Sequence, residues 1–282
     1  MVIGTATSSF GAATLAFVAP GPQDAKVGTP ITTTDFGGGN LIQVQVTGSG
    51  SQNARITVDI DIANSPDPEP GASLSGLKTV RASGGIATFN VSITKHGTYQ
   101  LVATATSMGP GHSAAFRIWD NVCGEGSPCP IGQIKKGSPV GEENMTAQVT
   151  STSGLVALSL GDDSINCSDV EAAHGVTFNH IPSTVTLFAS DPGTEKTGYI
   201  TVSRDWDTNF GDPPGAAHYQ VCYIDDLQPW TDLFGEPRAV GEASFLNDCS
   251  PSVDAPCVVS RTKENRSRNV SIVVRLRDLK MH

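Results

Sequence analysis

The segment Asp205-Trp206-Asp207-Thr208-Asn209-Phe210-Gly211-Asp212 sets oxygen-bearing side chains at alternate positions. A hard cation takes about six to eight oxygen ligands, so Asp205, Asp207, Asn209 and Asp212 are the candidate ligands for calcium, the one cofactor the sequence suggests. The match to a helix-loop-helix calcium loop is imperfect. Gly211 falls at loop position 7 instead of 6, and Ala216 stands at position 12 where a bidentate Glu is needed. The competing reading is a turn in which Asp and Asn side chains bond their own backbone. His174 and His180, with Asp169 or Glu171, form a second metal pattern, but one pair at that spacing is not diagnostic and solvated histidines are the simpler reading.

Trp206, Trp230 and Phe234 lie in Pro- and Asp-rich segments. Exposed, they would stack on a carbohydrate or a partner protein; otherwise they anchor loops or fill a core. Signatures of catalysis are absent. The chain has no His-Glu-x-x-His and no Gly-x-Ser-x-Gly elbow. Gly37-Gly38-Gly39 lacks the Lys of a phosphate loop, and nothing singles out an acid pair for glycoside hydrolysis. The expectation is a non-enzymatic protein.

Charge narrows the partners. Residues 1–118 hold 6 Lys+Arg and 6 Asp+Glu, whereas residues 119–282 hold 12 and 22, the whole source of the net charge of −10. Such a surface repels nucleic acid and anionic membranes. No stretch is long and apolar enough to span a bilayer, and the mildly apolar run Phe10–Val18 lacks the basic start of a signal peptide. The six cysteines, Cys123, Cys129, Cys167, Cys222, Cys249 and Cys257, all fall in the acidic part. An even number with no tight Cys-x2-Cys pair favours disulfides made in an oxidising compartment over zinc. The expected location is extracellular or on the cell surface, with a protein or carbohydrate as partner.

The elements that must position these residues read as strands. Thr14–Val18, Leu41–Thr47, Arg55–Ile62, Leu77–Ala82 and a final strand marked by Ala114, Phe116 and Ile118 each place apolar side chains on one face. In Arg55–Ile62 the inward set is Ile56, Val58, Ile60 and Ile62. From Gly85 to Ala105 two alternating runs meet at Lys95-His96-Gly97, which reads as a hairpin. This is the pattern of a two-sheet sandwich. The second part alternates less regularly, through Val156–Leu160, Val176 and Phe178, Val185–Ala189, Ile200 and Val202, Tyr219–Ile224, Val258–Arg261 and Asn269–Leu276. The predicted fold is all-β: residues 1–13 a lead-in, 14–119 a sandwich, 120–143 a linker holding Cys123 and Cys129, and 144–282 an acidic, disulfide-braced, sandwich-like domain. Cys123 and Cys129 either close a small loop at the joint, or one of them reaches into the second domain.

The pieces TLAFVAP, AKVGTPI and SGLKTVRASGGIATFNVSITKHGTYQLVATA resemble the bacterial immunoglobulin-like domains repeated in cell-surface and secreted proteins. The resemblance covers about residues 12–119 and is strongest over Leu77–Ala105. A Gly/Ser loop at 48–53 stands where such domains often carry an Asp-x-x-Gly-Asn turn. The family implies a spacer, stalk or adhesion role and carries over no functional residues. In the second domain the expected bridges are Cys167–Cys222 between strands and Cys249–Cys257 across a short loop. The first resembles the inter-sheet bridge of immunoglobulin domains, although Gln220 replaces the Tyr usual two residues before the second Cys. The ending PCVVSRTKENRSRNVSIVVRLRD is similar to C-terminal pieces of secreted bacterial proteins, which implies export alone.

Overall fold

The computed structural model describes residues 13–48, 52–138, 141–151, 154–161, 167–177, 184–189, 196–206, 220–225, 229–251, 256–263 and 269–276. Most of the lead-in therefore lies outside the described residues. The chain forms two compact units, 1–120 and 121–282. No helix among the described residues is long and apolar enough to cross a membrane.

The first unit opens with β1 (Thr14–Phe17), β2 (Ala25–Lys26), β3 (Ile42–Thr47) and β4 (Arg55–Ile60). Short strands follow: β5 (Asp67–Pro68), β6 (Leu74–Gly76), β7 (Thr79–Arg81), β8 (Ile86–Phe89) and β9 (Val91–Ile93). It closes with β10 (Gly97–Tyr99), β11 (Leu101–Thr104), β12 (Gly111–His112) and β13 (Phe116–Trp119). One layer is β1-β3-β8, continued by β9 with β6; the other is β2-β13-β10-β5 and β12-β11-β4-β7. Alternation along each strand supplies the core. Ile42 and Val44, Ile56 and Val58, Ala87 and Phe89, and Leu101 and Ala103 are buried in one cluster. Each large side chain so buried contributes about 1.5–3 kcal/mol.

The expected hairpin at Lys95-His96-Gly97 is instead a crossing between the layers. β9 pairs with β6, whereas β10 pairs with β13 and β5. Period-two patterning specifies two one-sided strands but not whether they lie side by side or face each other. Tyr99 decides it. Its ring is fully buried, and its hydroxyl donates back to the His96 carbonyl at 2.7 Å and lies 3.2 Å from the Lys95 carbonyl. The hydroxyl thus closes the corner by bonding back to backbone a few residues upstream, the geometry of a tyrosine corner. Gly97 sits at φ +136°, where a Cβ would meet the Asp67 carbonyl at 2.7 Å.

The strand expected over Leu77–Ala82 is β7, centred on Val80 and paired with β4; β6 just before it pairs with β9, so the chain changes layers at the exposed Leu77. Gly76, at φ +99°, permits the close pass, since a Cβ there would meet the Asn90 carbonyl at 2.3 Å. Ile62 is not inward but 53% exposed, because β4 stops at Ile60. Asp61 turns in instead and accepts from Asn64 Nδ2 at 2.8 Å, with His112 Nδ1 2.6 Å from the same oxygen. Opposite the corner, β2 pairs parallel with β13. Asp24 reinforces that seam by accepting from the Arg117 amide at 2.7 Å and Trp119 Nε1 at 3.1 Å.

The outer faces of the two layers differ in charge. Lys26, Arg55, Asp59, Asp67, Arg81, His112 and Arg117 belong to strands of the β13-β10 and β11-β4 layer. The strands β1, β3, β6, β8 and β9 contain no charged residue.

The second unit begins at β14 (Asn121–Cys123) and β15 (Cys129–Ser138), so the expected linker 120–143 is largely strand. β16 (Gly141–Ser151), β17 (Val156–Gly161), the helix α1 (Ser168–His174), β18 (Thr184–Ala189) and β19 (Lys196–Trp206) follow. The remaining strands are β20 (Cys222–Ile224), β21 (Trp230–Thr231), β22 (Pro237–Arg238), β23 (Ala243–Phe245), β24 (Cys257–Lys263) and β25 (Asn269–Leu276). The main sheet is β15-β16-β19-β25-β24, with β14-β17-β18 as the second. β15 reads as linker because it is an edge strand: Pro130, Lys135, Lys136 and a register shift between Ile131 and Ile134 are devices that keep an edge from pairing further. Ala147, Val149, Ile272 and Val274 from the main sheet share a core with Val156, Leu158 and Leu187 from the other.

All six cysteines are bridged, as Cys123–Cys129, Cys167–Cys222 and Cys249–Cys257. The first joins β14 to β15, one strand from each sheet. The second is not a strand-to-strand bridge, because Cys167 is the N-cap of α1. Spanning 55 residues, it stabilises the fold by about 4 kcal/mol if chain entropy dominates.

Two predictions concern the corner. Tyr99→Phe leaves the His96 carbonyl without its donor and costs about 1 kcal/mol, read as a lower denaturant midpoint at unchanged slope. His96 Nδ1 lies 3.0 Å from Asp120 Oδ1, and that hydrogen bond raises the imidazole pKa despite partial burial. A raised folded value means the linked stability is full below about pH 6.5 and is lost as pH rises through the folded pKa. The melting temperature of wild type should exceed that of His96→Gln at pH 5.5, with the gap closing toward pH 8.5.

Candidate functional site

The acidic segment is only partly described. Asp205 and Trp206 end β19, opposite Glu142 and Gly141 of β16, instead of opening a loop. The backbone ladder between these two 11-residue strands continues past the point where Asp-rich composition reads as turn. Asp207, Asn209 and Asp212 lie outside the described residues, as does His180. Among the described residues no group of three or more His, Cys, Asp or Glu is placed to hold a metal ion. Trp230 is buried core, 5% exposed, edge-on to Tyr223 at 5.3 Å, and so presents no stacking face. Its strand β21 is what turns a loop-like sequence inward.

Among the described residues, a dense set of functional groups gathers around the β21–β22 turn. Trp230 pairs with Arg238 and Thr231 with Pro237. The turn between them closes on Gly235 at φ +78°. Asp232, fully buried, organises it. Its Oδ1 accepts from the Phe234 and Glu236 amides, both at 2.9 Å. Its Oδ2 accepts from Arg238 Nε and from the Ser244 hydroxyl, both at 2.7 Å. Burial alone would push this carboxyl up. The Ser244 hydroxyl, the Glu236 amide and the Arg238 guanidinium outweigh it and hold the pKa below the usual range.

Helix α1 adds the second half of the cluster. The strand expected at Val176 and Phe178 is not formed at Val176, and Phe178 lies outside the described residues; the seven residues before it are helix, with Asp169 and Glu171 in the first turn and Gly175 after the last, at φ +64° with its amide donating into the helix end. The helix ends on His174, whose ring stacks on Phe234 at 3.7 Å and 4°. His174 Nε2 lies 3.6 Å from Glu236 Oε2, and Glu236 also bonds Arg238 Nη2 at 2.8 Å. Phe234 is thus half-buried against an imidazole, and His174 is tied to this turn.

Chemically the cluster is held rather than poised. Asp232 is saturated with donors and cannot serve as a base at neutral pH. The Ser244 hydroxyl donates to a carboxylate instead of facing an imidazole. Asp232, Glu236, Arg238 and Ser244 went unrecognised from sequence; the Asp-x-x-Gly turn at 232–235 was the available signal. A scan against models of protein families finds none that matches the chain, and a search of curated proteins finds no match.

Asp232→Ala leaves Arg238 facing an empty buried site and strands two amides. The expected cost is about 3 kcal/mol, measured by chemical denaturation with the disulfides intact.

Proposed function

We propose that the chain is a non-enzymatic protein of the extracellular or cell-surface space, of the adhesion type. In this reading an immunoglobulin-like module of the bacterial kind carries a disulfide-braced unit that binds a protein or carbohydrate. The observation that carries the reading is the distribution of sulfur: all six cysteines are bridged within one unit, and the other has no cysteine. Such bridging belongs to an oxidising compartment. The saturated Asp232 cluster supports a structural and binding role for the second unit over a catalytic one.

The test is binding of the full chain to arrays of surface proteins and glycans. Reduction should abolish capture of any ligand held by the second unit, because it acts on that unit alone. An EDTA arm addresses calcium at 205–212, and unchanged capture removes it. Native material whose cysteines alkylate without prior reduction, or turnover of a hydrolase substrate panel, overturns the proposal.

A further inference from the structure

The outer face of the β1-β3-β8 layer and its β9-β6 continuation is unusual for this molecule. β3 turns Gln43, Gln45 and Thr47 outward, and β8 turns out Thr88, followed by Asn90. Ser75 and Ser92, opposite each other, extend the same surface. Ile86, 40% exposed, is its one large apolar side chain. A mixed protein surface carries roughly 25–35% charged residues, yet this face carries none, while the opposite layer displays both signs.

Three pairs of these polar groups are tied to each other across the sheet. The hydroxyls of Thr14 and Thr47 lie 2.6 Å apart, Gln43 Nε2 donates to Thr88 Oγ1 at 3.2 Å, and the hydroxyls of Ser73 and Thr94 lie 3.1 Å apart. Side chains held this way lose little rotamer entropy on binding. The surface is one of hydroxyls and amides, each able both to donate and to accept, and three pairs of them are held in place.

We propose that this face docks a neutral polysaccharide. Sugar hydroxyls have the same dual hydrogen-bonding character, and an uncharged polymer brings no charge that the face would leave unpaired. Nucleic acid or an acidic glycan would require cations that are absent here. A second copy or another folded protein is a poorer occupant. At ordinary strand spacings the three-stranded part and its two-stranded continuation together cover roughly 300–400 Å², against about 800 Å² per partner in a stable protein interface. It also lacks the aromatic or Arg anchors that carry such interfaces. An extended polymer needs neither, because weak contacts repeat along its length and across neighbouring molecules. The proposal rests on the extracellular reading above, but not on the binding role given there to the second unit.

The experiment is retention of the full chain, disulfides intact, on insoluble cellulose, chitin and a β-1,3-glucan. Wild type should be retained on at least one of them. Gln45→Glu and Thr88→Glu, which place a carboxylate against the polymer, should each lower retention at least tenfold. Thr104→Glu adds the same charge to the opposite layer and should leave retention unchanged. Melting temperatures within a few degrees of wild type verify that all three variants fold. Failure of every polymer to retain wild type overturns the proposal, as do face variants that bind like wild type. Retention that survives the face variants but disappears on reduction also overturns it, while favouring the second unit as the binding site. A wild-type dimer in sedimentation velocity that Gln45→Glu dissociates, without polymer retention, assigns the face to a second copy and overturns it too.

Discussion

A strand with one apolar face must have that face covered from across, by another layer. In the first unit this requirement is met by a chain that repeatedly changes sides. The crossing at Lys95-His96-Gly97 is the clearest case. Phe89, Val91 and Ile93 enter the core from one layer, and Tyr99, Leu101 and Ala103 enter it from the other. The buried Tyr99 hydroxyl fixes the turn between them by donating to a carbonyl that would otherwise have no partner inside the corner. With this crossing in place, β13 can lie beside β10 and β4 beside β11, and the remaining pairings follow.

The second unit meets the same requirement with less regular strands and adds covalent closure. Each bridge has at least one fully buried cysteine. Cys123–Cys129 ties neighbouring edges of two sheets, and Cys249–Cys257 closes the approach to β24. Cys167–Cys222 pins a seven-residue helix, too short to be stable alone, onto β20. Beside that helix the Asp232 network does for polar groups what the sulfur does for the backbone: it leaves the turn one arrangement in which a buried carboxylate is fully satisfied.

Legibility followed the range of each interaction. The strands Leu41–Thr47 and Asn269–Leu276 could be read because alternation is local and their apolar faces are continuous. The all-β class could be read for the same reason. Two bridges, Cys167–Cys222 and Cys249–Cys257, match expectation, whereas Cys123–Cys129 resolves two alternatives that the sequence leaves open. The side-by-side hairpin was misread because local periodicity is identical for paired and facing strands, and only the register to β6 and β13 separates them. Lys135 and Lys136 looked like linker because edge strands and linkers share a composition. Trp230 looked like loop because a two-residue strand leaves almost no periodicity to detect. Asp232 was invisible for a different reason: its partners Arg238 and Ser244 are defined by a turn and a neighbouring strand, not by spacing that any one function requires.

The parallel seam between β2 and β13 has a mechanical meaning. β2 lies near the start of the first unit and β13 at its end, so tension along the chain draws the two strands past each other lengthwise. The Ile118–Ala25 and Trp119–Lys26 pairing, the Val27 amide on the Trp119 carbonyl at 2.8 Å and the Asp24 carboxylate on Arg117 and Trp119 are then loaded in shear and must yield together. A module fastened this way resists pulling far better than one whose terminal strands peel apart a bond at a time.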